Sequence, residues 1–177
     1  SPRLVGITAM THEMRLAAKV AQAVRRAMPG ARIVIGGPHA TALPGRTLDE
    51  FAEFDFAIFG EGEETLHELA RAVGAASQGA GAGEPSGADL SAIRGLAYRG
   101  ADGTIRVNEA RPWIENLDSL PFPAWDLYGP SEVYQVYASR GCPFRCIFCM
   151  RVLGERVRYR SARNVVDEIE QTVGRFG

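Results

Sequence analysis

The chain has 177 residues, 46% hydrophobic and 23% charged, with 20 basic against 21 acidic side chains. That is long enough to bury a real core, and a net charge of -1 excludes the basic footprint of a general nucleic-acid binder. No apolar run approaches the ~20 residues that cross a bilayer, Ser1-Pro2-Arg3-Leu4 has no signal-peptide character, and three cysteines cannot build a secreted disulfide scaffold, so a cytoplasmic protein without a membrane span is expected.

Residues 4–10 form an apolar run without helical period and read as a buried strand. Thr11 is a candidate N-cap for the next helix, in which Met14, Ala17, Ala18, Ala21, Val24, Ala27 and Met28 recur at helical spacing up to Pro29-Gly30. Arg32-Ile33-Val34-Ile35 is a second strand, ended by Gly36-Gly37-Pro38. A short helix is expected over 47–54, a third strand over 56–59 and a helix over 65–73. Apolar strands alternating with helices argue a parallel sheet covered on both faces.

The stretch 74–88 is Gly, Ala, Ser and Pro with almost no large apolar side chain, which suits a linker. Gly100-Ala101-Asp102-Gly103 between two apolar segments signals a hairpin over 95–107. Residues 117–130 carry Pro121, Pro123 and Pro130 with Phe122, Trp125 and Tyr128 and read as an extended, aromatic-anchored connector. A strand is expected over 133–139, an arginine-rich loop over 140–160, and a helix over 164–175 with Val165, Val166, Ile169 and Val173 apolar. The chain opens directly on a strand and stops just after a helix, so we expect an internal piece of a longer protein, with uncovered apolar faces that favour association.

All three cysteines lie in Cys142-Pro143-Phe144-Arg145-Cys146-Ile147-Phe148-Cys149, directly after the expected strand. Thiolates select zinc, copper(I) or iron–sulfur centres. Structural zinc normally takes four ligands, and His12, His39 and His67 all lie far back in the chain. Three thiolates can instead hold three irons of a cubane cluster and leave the fourth iron open to a ligand.

The run from Tyr137 to Cys149 resembles the cluster loop of the radical S-adenosylmethionine superfamily, C-x3-C-x-aromatic-C, with Phe148 at the aromatic position. The resemblance implies that Cys142, Cys146 and Cys149 hold a [4Fe-4S] cluster whose open iron chelates S-adenosylmethionine, that Phe148 lines the adenine side of that cofactor, and that reductive cleavage produces a 5′-deoxyadenosyl radical. Residues 160–169 resemble the start of the first helix of the family's partial barrel, with Ser161 as N-cap. Gly36-Gly37-Pro38-His39-Ala40-Thr41, Gly60-Glu61-Gly62-Glu63-Glu64-Thr65 and Pro121-Phe122-Pro123-Ala124-Trp125 resemble the B12-binding-domain members of that superfamily. That likeness implies a cobalamin whose nucleotide tail approaches Thr8, Gly36 and Gly37. The family's cobalt-ligand motif, D-x-H-x-x-G, is absent from this sequence, and His39 is placed to be a polar packing residue.

The expected fold class is α/β: a partial Rossmann-like, flavodoxin-like cobalamin-binding parallel sheet (residues 1–75), a linker with the hairpin and Pro-rich connector (76–130), and the first βα unit of a radical barrel (131–177). The expected function is that of a radical enzyme catalysing methyl transfer, rearrangement or cyclisation on an unactivated carbon of a small-molecule substrate. An external electron donor such as flavodoxin or ferredoxin would supply the electron, and this piece alone is not expected to turn over. Two alternatives stand beside it: a radical enzyme whose Rossmann-like domain no longer binds B12, and a non-catalytic zinc module on the three cysteines.

Overall fold

The computed structural model describes residues 2–76, 89–128 and 131–176, so most of the 74–88 linker expected from the sequence lies outside the described residues. The chain divides into two compact units, Ser1–Pro112 and Trp113–Gly177.

The first unit is a five-stranded sheet in the order of the chain. β1 (Leu4–Thr8), β2 (Arg32–Gly36) and β3 (Phe56–Ile58) run parallel. β4 (Leu96–Arg99) and β5 (Ile105–Val107) add an antiparallel hairpin to β3. The hairpin that the sequence assigns to a linker is therefore the far edge of the sheet. Its inner strand is as apolar as a core strand, with Leu96, Ala97 and Tyr98 all buried.

Helices cover both faces. On one side, α1 (Met14–Ala27), α2 (Pro38–Ala42) and α3 (Pro44–Glu50) pack Met14, Ala17, Ala21, Ala40 and Leu48 against Ile33, Ile35, Ala57 and Ala97. On the other, Leu69 and Val73 of α4 (Glu63–Ala76) meet Val34, Phe56, Ile58, Leu96 and Tyr98. Alternate residues of β2, β3 and β4 thus serve opposite cores, as the two-residue period of a strand requires.

Three local expectations are corrected. The helix expected over 47–54 starts earlier and ends earlier, as α3, and an unexpected short helix, α2, precedes it; Pro44 separates the two by holding Leu43 out of the helical region at φ -139°, ψ 53°. Thr11 does not cap α1; residues Thr11–Glu13 form a 3-10 turn, and the Glu13 carboxylate accepts the Met10 N–H at 2.8 Å. In the second unit, the strand expected over 133–139 shrinks to β6 (Ser139–Arg140), paired antiparallel with β7 (Arg158–Tyr159). Strand propensity needs a ladder partner, and β7 offers only two residues.

β6 leads through the cysteine loop to β7 and then to α5 (Ala162–Phe176). Ser161 caps α5 as expected, accepting the Asn164 N–H at 3.1 Å. The Asp118 carboxylate in turn accepts from the Ser161 hydroxyl and from its N–H at 2.9 Å, and these bonds hold its pKa below the usual value. The aromatic connector is anchored as expected, with Trp125 edge-on to Tyr134 at 5.4 Å and Tyr134 stacked on Phe176 at 5.3 Å. The apolar stripe of α5 faces outward, with Val166, Ile169 and Val173 exposed.

Asp55, just before β3, fastens the first unit. Its carboxylate accepts the Ile33 N–H at 2.7 Å and pairs with Arg25 at 2.9 Å and Arg32 at 3.2 Å, joining α1, β2 and β3. Asp55→Ala should cost roughly 2–3 kcal/mol in denaturant melts followed by circular dichroism, and Asp55→Asn, which keeps an acceptor for Ile33, about half that. Unchanged melts would show that α1 and β2 hold without this carboxylate.

Candidate functional site

The carboxyl ends of β1, β2 and β3 lie along one edge of the first unit. Parallel register pairs Thr8 with Gly36, and the Ala9 N–H donates to the Gly36 carbonyl at 3.2 Å. The chain then turns at Gly37, whose φ of +94° favours glycine. A Cβ on Gly37 would lie 2.6 Å from Thr8 Oγ1 and 2.9 Å from the Ala9 carbonyl oxygen. The loop after β3 joins in through the Gly60 N–H, which donates to Thr41 Oγ1 at 3.3 Å. A Cβ on Gly36 or on Gly60 would meet nothing within 4 Å.

The two sequence-marked glycines therefore differ. Gly37 is required by the fold itself, and Gly36 leaves backbone open at the strand end. Thr8 is exposed beside them. An edge of open backbone and one free-standing hydroxyl fits the polar tail of a large planar cofactor, which needs close main-chain approach. His39 is 6% exposed and pairs through Nδ1 with Thr11 Oγ1 at 3.1 Å, as a packing residue would; His12 and His67 are exposed on helical turns. Glu63 and Glu64 lie in the first turn of α4, where negative charge suits the helix dipole.

In the second unit, Cys142, Cys146 and Cys149 are free and exposed on the loop between β6 and β7. Two positive-φ glycines shape its neck. Gly141, at +94°, lies so close to the Arg156 carbonyl that a Cβ would overlap it, and Gly154, at +95°, lies against the Trp113 indole. The Cys142 N–H donates to the Gly154 carbonyl at 3.2 Å and closes the neck. Arg158, 5% exposed, holds the return arm, donating to the carbonyls of Leu153 and Ile114 at 2.7 Å each and lying 5.5 Å over the Trp113 ring.

Toward the tip, the Cys149 N–H donates to the Cys146 carbonyl at 3.0 Å and the Arg151 N–H reaches Cys149 Sγ at 3.4 Å. Phe148 is 88% exposed and Ile147 fully so. The donor set suits a thiophilic cluster: three soft ligands on one short loop, one already receiving a backbone N–H as cluster sulfurs commonly do. Among the described residues, no three Cys, His, Asp or Glu side chains converge closely enough to hold a metal ion, so the loop supplies the ligands and not their final convergence.

Sequence reasoning missed the groups that brace these two places. Arg111 bonds Thr65 Oγ1 at 3.1 Å and pairs with Glu64 and Glu68, tying the end of the hairpin arm to α4. Arg160 and Glu168 form a buried pair behind the cysteine loop. Arg111 joins residues more than forty apart in the chain, and the Arg160–Glu168 spacing of eight fits no helical pairing pattern, so no local pattern announces either.

Residues 1–70 match the family model of the B12 binding domain. The chain is 36% identical to the uncharacterized methyltransferase PH0819 of Pyrococcus horikoshii over 95% of its own length and 36% of the relative's. It is 34% identical to the anaerobic magnesium-protoporphyrin IX monomethyl ester cyclase of Rubrivivax gelatinosus over 97% of its length and 31% of the relative's. The chain thus spans about a third of the length of the curated relatives it matches. The structure of the cobalamin-dependent S-adenosylmethionine radical enzyme OxsB superposes with a TM-score of 0.74 over 99% of this chain and 24% of that one, at 19% identity, and shares its fold. The resemblance to B12-binding-domain radical S-adenosylmethionine proteins read from the sequence is borne out, as is the α/β fold class.

The contrast between the two glycines is testable. Gly37→Ala should lose on the order of 1–3 kcal/mol of stability in denaturant melts, and Gly36→Ala should stay within about 0.5 kcal/mol of the parent. Equal losses would mean that the turn after β2 relaxes freely.

Proposed function

We propose that this chain carries the two cofactor stations of a B12-dependent radical S-adenosylmethionine enzyme, one in each unit. The observation that carries the reading is the exposed C-x3-C-x2-C loop, with its glycine-closed neck, in the same chain as a B12 binding domain. Cys142, Cys146 and Cys149 would hold a [4Fe-4S] cluster. When bound, such a cluster supplies the electron that splits the sulfonium of S-adenosylmethionine, and the corrinoid supplies a carrier for a methyl group or an electron.

The residues of the chain have narrower tasks. The three thiolates anchor, the Arg151 N–H on Cys149 Sγ stabilises negative charge on that sulfur, and Phe148 offers an apolar face to the adenine ring. Gly36, Gly60 and Thr8 would receive the corrinoid tail. The reaction falls in the class of methyl transfer, rearrangement or cyclisation on an unactivated carbon of a small molecule, with a flavodoxin or ferredoxin as electron donor. The sequence similarity to a methyltransferase and a cyclase supports that range. No helix among the described residues is long and apolar enough to cross a membrane, and a cytoplasmic site of action is part of the proposal.

A second reading keeps the radical chemistry without B12. It is favoured by one observation: the only buried histidine among the described residues, His39, is bonded to Thr11.

The test is anaerobic reconstitution of the full-length protein. The parent should take up about four irons per chain and turn brown, and Cys→Ala at 142, 146 or 149 should each reduce iron to near zero, because two thiolates do not retain the cubane. Full iron in any of these variants, or a colourless zinc protein, would overturn the proposal.

A further inference from the structure

Helix α5 buries what an amphipathic helix normally exposes. Glu168 is 2% and Thr172 8% exposed, while Val166, Ile169 and Val173 on the same helix are 49%, 44% and 62% exposed. A carboxylate removed from water is costly unless it is paired. Glu168 is paired with Arg160, whose side chain is itself 12% exposed; the contact is an ion pair and not an aligned hydrogen bond.

Arg160 gathers both ends of the cysteine loop on one residue. Its backbone N–H donates to the Ala138 carbonyl at 2.9 Å and its guanidinium donates to the Tyr137 carbonyl at 3.0 Å, both on the arm that enters the loop. The same guanidinium donates to Asn164 Oδ1 at 2.6 Å and to the Asn164 carbonyl at 3.2 Å, on the helix that follows. It also lies 5.7 Å over the Phe122 ring of the connector. A cavity of about 100 Å3 beside the pair is lined by Arg140, two residues before Cys142, together with Arg160 and Glu168.

Between these anchors the loop has little ladder of its own. Two residues of β6 pair with two of β7, and one bond closes the neck. The direction in which the chain enters Cys142 is therefore set by the Arg160 fork, and the fork is set by Glu168. Lysine could keep the charge, but it offers a single ammonium in place of the planar fork that reaches three partners.

We propose that the buried Arg160–Glu168 pair is a positioning device that fixes the two arms of the cysteine loop so that its three thiolates meet one cluster in one orientation. The pair touches no cofactor; it acts through Tyr137, Arg140 and Asn164. This inference rests on the cluster proposed for the three cysteines. Without the Glu168 charge, Arg140 and Arg160 share a cavity that no longer holds its carboxylate, and the loop entrance loses a single preferred direction.

The experiment compares parent, Glu168→Gln and Arg160→Lys full-length protein after anaerobic reconstitution. Both variants should keep the parental circular dichroism and initially take up iron. They should then lose it to a chelator about 10-fold faster or more. Their reduced-cluster electron paramagnetic resonance should broaden into a mixture of orientations, a change that a merely structural loss of stability would not produce. If either variant fails to fold, the other decides by the same two readouts. A parent without iron would contradict the cluster itself. A parent with iron, beside variants of equal chelator resistance and identical spectra, would overturn the positioning role alone.

Discussion

Parallel pairing is the constraint on which the first unit depends. Three parallel strands place all their carboxyl ends on one edge, and the β1–β2 register then sets Thr8 opposite Gly36. The turn after β2 takes a positive φ at Gly37, and with Thr8 there it leaves no room for a Cβ at that position. Everything useful at that edge follows: the Thr8 hydroxyl at the end of β1, open backbone at Gly36 at the end of β2, and a second open glycine, Gly60, after β3. The antiparallel hairpin extends the sheet beyond β3, where the Phe59 N–H donates to the Gly95 carbonyl, and completes the two cores.

The second unit solves a different problem. A metal-ligand loop must expose three thiols and still be held in place. Here the tip is open and the neck is tight. Gly141 and Gly154 let the two arms approach, Arg158 grips the return arm through backbone carbonyls, and Arg160 joins the incoming arm to α5. Guanidinium groups suit this work because one planar fork satisfies several carbonyls at once. The arginines of the loop over 140–160 thus include structural fasteners, with Arg158 and Arg160 turned inward.

Much of this could be read from residue order, and the failures share a cause. The apolar strands, the hairpin turn at residues 100–103, the Ser161 cap and the cysteine loop are local patterns, and each was legible. The strand expected over 133–139 was not a strand, because pairing depends on a partner more than fifteen residues later and that partner is two residues long. The hairpin's place in the sheet was missed for the same reason: its apolar strand was visible, its neighbour β3 was not. Asp55, Arg111 and the Arg160–Glu168 pair gain their roles from contacts across the fold. Glu168 in particular looks like a surface residue in Val165-Val166-Asp167-Glu168-Ile169, and only the packing of α5 shows that it is the buried one.

The claim that the carboxyl edge of the parallel strands receives a corrinoid is tested most directly by hydroxocobalamin binding to the full-length protein and to its Gly36→Val variant. A valine there would project into space that is open in this fold, so the variant should fold as the parent does and bind the corrinoid at least about tenfold more weakly. Equal affinity in a well-folded variant would place the corrinoid elsewhere, and no binding by the parent would remove it from the account.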